Sequence, residues 1–185
     1  MRLNWCGAIM RTGDIGITMD IPVSVRPLFV AAGWHAGRRV PVDGRVPARH
    51  PAHAVLQEMG GLHVGRTEGG GIECSRSDLQ FGFCDDCAGD GIVSTLQTVL
   101  PSRLIGVAEV HNCHEWLLLD EAGRCFGASV VHDGFHFVGQ TFAQAAEREL
   151  LGRKARPMLR PDQQEVRLYG MTFRRGHPAI FDPEA

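Results

Sequence analysis

The sharpest local motif in this sequence is a pair of cysteines, Cys84 and Cys87, separated by two aspartates. Two thiolates at this spacing can share one zinc ion, and a tetrahedral site then needs two more ligands. The neighbouring residues His111, Cys113 and His114 could supply them. A second interpretation is a redox pair, in which one thiolate attacks and the other resolves; the flanking aspartates disfavour it, because they should raise the thiol pKa. The third interpretation is that the two cysteines are incidental.

Cys113 also has two histidine neighbours, a composition that invites comparison with an activated thiol nucleophile. Residues adjacent in sequence seldom direct their side chains at each other, and catalytic partners usually come from different elements of a fold. No oxyanion-hole motif accompanies the segment, so a polar hairpin turn is the better interpretation. The sequence therefore predicts no catalytic residue, no metal site and no cofactor.

Acidic residues form the remaining candidate site. One interpretation is an ordinary solvated loop. The other is a binding surface that meets a basic surface on a partner protein, where charge attraction speeds association and a few buried anchors supply most of the affinity. The glutamates would extend the group of aspartates only if the edge of the sheet faces the same way. The candidate binding residues are Asp78, Asp85, Asp86, Asp90, Glu109 and Glu115.

Composition limits the classes of function that remain. A chain of 185 residues with 44% hydrophobic and 22% charged residues is typical of one globular domain. The net charge of −2 argues against a nucleic-acid partner. No apolar run approaches the ~18 residues that a membrane helix needs, and the N-terminus lacks the apolar core of a signal peptide. Together with only six cysteines, this predicts a cytoplasmic protein without a disulfide framework. Met19 is an alternative translation start to Met1, because a more domain-like stretch follows it.

The hydrophobic pattern predicts an α+β protein with a mostly antiparallel twisted sheet and helices packed on it. Asp133-Gly134 is a hairpin signal, and Thr141 with Gln144 forms a capping box for a helix that Gly152 ends. Gly69–Gly71 lacks the Lys-Ser/Thr of a phosphate-binding loop and predicts a flexible turn. The predicted strands are 62–64, 79–83, 104–110, 115–119, 125–131, 135–138 and 166–173. The predicted helices begin after Ser24, at Pro51, at Ile92 and after Thr141.

Several of these turns and core positions resemble landmarks of a known family, in the same order along the chain. They are Ala31–Trp34, Gly37–Val40, Leu56–Leu62, Leu118–Arg124 and Phe142–Arg153. The family is the SUKH superfamily of bacterial immunity proteins, and the similarity is to its third subfamily. It spans residues 24–157, so the sequence predicts an N-terminal extension at 1–23, a SUKH-like domain at 24–157 and a basic C-terminal extension at 158–185.

The resemblance implies a cytoplasmic protein, not an enzyme, that binds a cognate polymorphic toxin and blocks it. Such toxins are often nucleases or nucleic-acid deaminases, and the expected mechanism is occlusion of the active site. The resemblance also implies that the landmark residues are structural, with Trp34 and Leu118 packing and Asp120 and Arg124 fixing a turn. Two alternatives stay open: a zinc-stabilised interaction module, and a small thiol-dependent enzyme that uses Cys84 and Cys87 or Cys113.

Overall fold

The computed structural model of the protein describes residues 19–84 and 91–183, and these contain four α-helices and nine β-strands. The helices are α1 (Arg26–Ala31), α2 (Pro51–Met59), α3 (Ile92–Val99) and α4 (Phe142–Leu151). The strands are β1 (His63–Val64), β2 (Leu79–Cys84), β3 (Ile105–Val110), β4 (Glu115–Leu119), β5 (Cys125–Ser129), β6 (Gly134–Gly139), β7 (Arg156–Met158), β8 (Glu165–Leu168) and β9 (Met171–Arg174). The predicted α+β class is confirmed. No helix of the described part is long and apolar enough to cross a membrane.

The first seven strands form one antiparallel sheet in which spatial order follows chain order, from β1 to β7. Residues paired directly across antiparallel strands project to the same face, and successive residues along a strand project to opposite faces. One such row crosses the sheet through Gln80, Glu109, Trp116, Ala128 and Phe135. The neighbouring row through Leu79, Val110 and Glu115 therefore lies on the other face.

Both faces of the sheet are packed. On one face, α1, α2 and α4 bury a core that includes Phe29, Phe81 and Phe142, whose rings contact each other in sequence. On the other face, α3 covers a smaller core around Phe126 and Phe137. We name these the three-helix face and the α3 face.

The helix boundaries follow the predicted caps, with one exception. Pro51 opens α2, and the side chain of Thr141 accepts a hydrogen bond from the Gln144 amide at the start of α4. Gly152 ends α4 in the left-handed conformation that glycine favours. Ser24 does not cap α1, because Val25 occupies the cap position and the Ser24 hydroxyl bonds Glu147 on α4.

The C-terminal residues add a second sheet. β8 and β9 form a hairpin whose turn residues, Tyr169 and Gly170, both have positive φ, which suits the twist of a two-residue turn. The single strand predicted at 166–173 is thus two strands, because Gly170 marks a turn rather than a weak strand. Beyond the hairpin, Phe181 stacks on Phe137 with ring centroids 4.1 Å apart, so the end of the chain packs onto the α3 face.

Candidate functional site

Asp78 is buried at the start of β2, with 5% of its surface exposed. Its carboxylate accepts hydrogen bonds from the Thr67 hydroxyl and the Asn112 amide, and His63 Nε2 lies 2.6 Å from it. Burial opposes ionisation, but these hydrogen bonds outweigh burial and lower the pKa of Asp78 below its ordinary value. The carboxylate is therefore committed to contacts within the protein.

The turn that Asp78 supports, between β3 and β4, has an unusual backbone. His111, Asn112 and Cys113 have φ values of 55°, 55° and 64°, a left-handed run that disfavours residues with a Cβ atom. The Asp78 carbonyl also accepts the His111 amide, so Asp78 binds two of these three residues. Asp78 thus stabilises a turn that would be strained without it.

The structure separates the two predicted glutamates. Glu109 pairs with Trp116 and lies on the α3 face, whereas Glu115 pairs with Val110 and lies on the three-helix face. Glu109 is half-buried and close to the Cys113 thiol, and Glu115 is directed into a cavity described below. Asp85, Asp86 and Asp90 lie outside the described residues, in the segment that joins β2 to α3.

The four-ligand zinc alternative conflicts with the sheet register. Cys84 pairs with Gly106 near one end of β3, while His111, Cys113 and His114 follow Val110 at the other end. Four residues of strand span about 13 Å along the backbone, whereas the donor atoms that bind one zinc ion lie within about 4 Å of each other. Cys87 is outside the described residues, and no group of three potential ligands among the described residues could hold a metal ion.

Three of the described thiols, those of Cys74, Cys113 and Cys125, have surroundings that disfavour the thiolate. A hydrogen bond to Glu109 raises the pKa of Cys113, although that thiol is exposed. Burial raises the pKa of Cys74 and of Cys125. Since the thiolate is the nucleophile, these surroundings disfavour a thiol-dependent reaction at all three positions.

A polar cavity of about 600 Å³ opens where α4 ends, on the three-helix face of the sheet. The loop that precedes β2, the β3–β4 turn, the β5–β6 hairpin and the β8–β9 turn surround it. Residues from these elements and from α4 line it, including Glu115, Ser129, His136, Arg148, Glu149 and Tyr169. Its volume is that of a site for a small molecule or a few residues of a partner.

The floor of this cavity is a cluster of three ionisable groups. Glu115 on β4 forms an ion pair with His136 on β6, and Glu149 on α4 interacts electrostatically with both. Burial opposes protonation of His136, but Glu115 outweighs it and raises the pKa of the imidazole. Burial and the negative charge of Glu115 raise the pKa of Glu149 to about 7. These surroundings therefore favour the protonated forms of both Glu149 and His136.

Gly127 makes room for this ion pair at the centre of the sheet. It lies opposite His136 on the neighbouring strand, and a Cβ atom there would overlap Glu115 Oε1 and His136 Nε2. Because the glycine has no side chain, the carboxylate and the imidazole meet across the strand that separates them.

The residues of the proposed family landmarks have structural roles. Trp34 Nε1 donates to the buried Glu58, and the Arg38 guanidinium donates to the carbonyls of Glu58 and Gly60 at the end of α2. Asp120 is fully buried and binds the amide and the guanidinium of Arg124 across the β4–β5 turn. These contacts confirm the structural roles that the resemblance implied for Trp34 and for the Asp120–Arg124 turn.

The described residues form an α+β fold around a seven-stranded antiparallel meander, and the landmark residues make structural contacts within it. The family model of the SUKH-3 immunity protein matches residues 21–152, and the chain belongs to this family. Membership implies that the protein binds and neutralises a cognate polymorphic toxin. No curated protein and no solved structure matches the chain.

The sequence interpretation missed the cavity, because its parts are far apart in the chain. Glu115 and His136 are 21 residues apart, and Glu149 and Arg148 come from a helix that was assigned only a packing role. One local signal existed. His136 interrupts the apolar strand 135–138, and a polar residue on a strand predicted to be buried needs a buried partner.

Proposed function

We propose that this protein neutralises a toxin that acts on nucleic acid, either a nuclease or a nucleic-acid deaminase, by covering the toxin's active-site cleft. The observation that carries the proposal is membership of the SUKH-3 immunity family. A toxin of this kind needs positive charge to hold phosphate groups. An inhibitor that presents carboxylates competes with the phosphate groups for that positive charge. The attraction between the opposite charges also speeds its association with the toxin.

The surface that we assign to the toxin is the part of the α3 face left uncovered near Glu109. There Glu109 lies between Gln80, which is exposed, and Trp116, which is half-buried. A half-buried tryptophan beside a carboxylate is the kind of anchor that supplies much of the affinity at protein interfaces.

We propose that the acidic residues Asp85, Asp86 and Asp90 add to this surface through their charge. In the sequence they lie between Cys84, the last residue of β2, and the start of α3. Asp85, Asp86 and Asp90 would add three negative charges to Glu109. Asp78 and Glu115 contribute indirectly in this proposal, since Asp78 holds the turn next to Glu109 and Glu115 is paired with His136.

The first test is to look for a large gene upstream of this protein's gene that ends in a toxin-like domain, and to co-express that domain with this protein. We expect the domain to inhibit growth when expressed alone and to be harmless when expressed with this protein. Equal growth inhibition with and without the protein would refute neutralisation. If the toxin domain in a purified complex still turns over its substrate, occlusion of the active site would be refuted, but binding would not.

The second test addresses the acidic surface in the purified proteins. Replacing Asp85, Asp86 and Asp90 by Asn and Glu109 by Gln should slow association by about tenfold at low salt and flatten its salt dependence. The matched control is Glu165→Gln, which removes an exposed carboxylate on β8. The four substitutions remove four charges and the control removes one, so effects on the logarithm of the association rate that are equal per charge would show that only total charge matters. No effect of the four substitutions would remove the acidic surface from the proposal.

A further inference from the structure

The mouth of the cavity at the end of α4 carries two accessible cations. Arg153 is exposed and Lys154 is half-buried, and both line the cavity. The Lys154 ammonium lies 5.8 Å from the centre of the Tyr169 ring, which also lines the cavity, so the ring holds this charge at the mouth. Within residues 19–84 and 91–183, neither cation forms an ion pair. Both charges are therefore available to a partner.

The remaining charges leave the cavity positive. Glu115 and His136 form an ion pair, which adds no net charge. Burial and the charge of Glu115 raise the pKa of Glu149 to about 7, so this carboxyl is mostly neutral below that pH. Glu73 is then the carboxylate set against Arg148 and the two cations at the mouth. An anionic partner fits this balance better than a cationic one.

Exposed aliphatic side chains surround the same mouth. Seven large hydrophobic residues are exposed in the described part of the chain, and four of them form what we call the aliphatic rim: Ile72, Val130, Val131 and Met171. Val131 lines the cavity, and each of the other three adjoins a lining residue in the chain. Exposed apolar side chains gathered around a polar site are typical of a surface that binds another protein.

The composition of the mouth favours a protein over a nucleic acid as the partner. A single-stranded nucleic acid stacks its bases on aromatic side chains. The rim is aliphatic instead, and the ring of Tyr169 already contacts Lys154. Aliphatic side chains gain free energy by burial against other apolar side chains, which a protein segment supplies.

We propose that this mouth binds an acidic segment of a partner protein that also carries aliphatic side chains. Its carboxylates pair with Arg153 and Lys154, and its aliphatic side chains pack on the aliphatic rim. The cavity of about 600 Å³ accommodates a few side chains of the segment. The surface is separate from the toxin surface proposed above, because Glu115, which lines the cavity, and Glu109 project from opposite faces of the sheet.

The test uses the free, full-length protein with ¹³C-labelled Ile, Val and Met methyl groups, so it does not depend on the toxin. The probes are a peptide of alternating Asp and Leu, the same peptide with Asn in place of Asp, and a short oligothymidylate. We expect the acidic peptide to shift the NMR signals of Ile72, Val131 and Met171 in a saturable way, and the neutral peptide to bind about tenfold more weakly. Val23 and Val30, which are exposed in or near α1, are the internal reference and should not shift.

Four results would overturn the proposal. They are the absence of a saturable shift with the acidic peptide, equal affinity for the neutral peptide, equal shifts at the reference valines, and tighter binding of the oligothymidylate. The third would indicate unspecific apolar contact, and the fourth would indicate a nucleic-acid surface.

Replacing Arg153 and Lys154 by Gln should weaken binding of the acidic peptide about tenfold. The matched control replaces Arg49 and Arg103 by Gln, since both are exposed and neither lines the cavity, and should leave the affinity unchanged. Equal weakening by the two pairs would mean that only total charge acts, and would refute the site. If the loss of Lys154 unfolds the protein, Arg153→Gln alone decides, with an expected weakening of about threefold.

Discussion

Asp78 shows how a single carboxylate can be required by the backbone around it. It is buried, it binds the amide of Asn112, and its carbonyl accepts the amide of His111 in a left-handed turn. The charge makes the carboxylate's hydrogen bonds to Asn112 and Thr67 stronger than those of a neutral amide would be. The value of Asp78 to the fold therefore depends on its negative charge as well as on its shape.

Asp78→Asn should lower the free energy of unfolding by about 1–3 kcal/mol, because the substitution keeps the size of the side chain but weakens its hydrogen bonds to Thr67 and Asn112. Urea unfolding followed by circular dichroism measures the loss. Asp162→Asn, at a side chain with 78% exposure, is the control and should change stability by less than about 0.5 kcal/mol. If the free energy of unfolding of Asp78→Asn equals that of the wild type, the β3–β4 turn does not depend on the charge of Asp78.

At the scale of elements, the loop between β1 and β2 serves as the cap of α4. The amides of Ile72, Glu73 and Cys74 donate to the carbonyls of Leu151 and Gly152, and the amide of Ser77 donates to the carbonyl of Glu149. These carbonyl groups lie at the C-terminal end of α4, where carbonyls lack the usual hydrogen-bond partners from a following turn of helix. The glycine-rich turn at 69–71 thus leads into a segment, residues 72–77, that is docked on the end of α4.

Comparing Gly152→Ala with a control glycine should distinguish the contribution of this loop contact from the backbone strain that any alanine with positive φ causes. Gly152 has a φ of +65°, and a Cβ atom there would overlap the Cys74 carbonyl and lie 2.8 Å from Gly71 Cα. Gly170→Ala is the control, since its φ is +73° and nothing lies within 4 Å of the added Cβ. We expect about 1 kcal/mol of destabilisation for the control and clearly more for Gly152→Ala.

Thermal unfolding and amide hydrogen exchange of residues 72–77 measure both effects. Loss of protection in that segment should accompany Gly152→Ala but not Gly170→Ala. Equal destabilisation by the two substitutions would show that the contact between the loop and α4 contributes little.

At the scale of the whole molecule, the buried cluster below the cavity couples stability to pH. Glu149 has a pKa raised from 4.5 to about 7, and the pKa of His136 is raised above 6.5. The folded state therefore holds both protons more tightly than the unfolded state. Their stabilising contribution is complete below the unfolded values and is lost as the pH rises through the folded ones.

The protein should accordingly be less stable at pH 8.5 than at pH 6, by an amount on the order of 1 kcal/mol from Glu149. Glu149→Gln removes that titrating group and should flatten the dependence by raising stability at pH 8.5. Glu165→Gln, on the exposed β8, should leave the wild-type dependence in place. Urea unfolding at several pH values measures this dependence. If the free energy of unfolding of Glu149→Gln changes with pH as much as that of the wild type, other groups cause the dependence.

Much of the fold follows from local patterns in the sequence. The strand from Glu115 to Leu119, the caps at Pro51, Thr141 and Gly152, and the Asp120–Arg124 turn lie where the sequence places them. Each depends on residues a few positions apart, whose alternation or hydrogen-bonding capacity is visible in the sequence. The landmarks of the SUKH-3 family are of the same local kind, which is why the family was recognisable.

What only the tertiary structure decided is which distant residues meet. Register places Glu109 and Glu115 on opposite faces, because a shift of one residue along a strand reverses the direction of its side chain. Packing of α4 against the sheet brings Glu149 to the His136–Glu115 pair, and the absence of a side chain at Gly127 leaves space for that pair. The sequence by itself determined most of the elements and the family. The cavity and its charges came from long-range pairing, which no local pattern specifies.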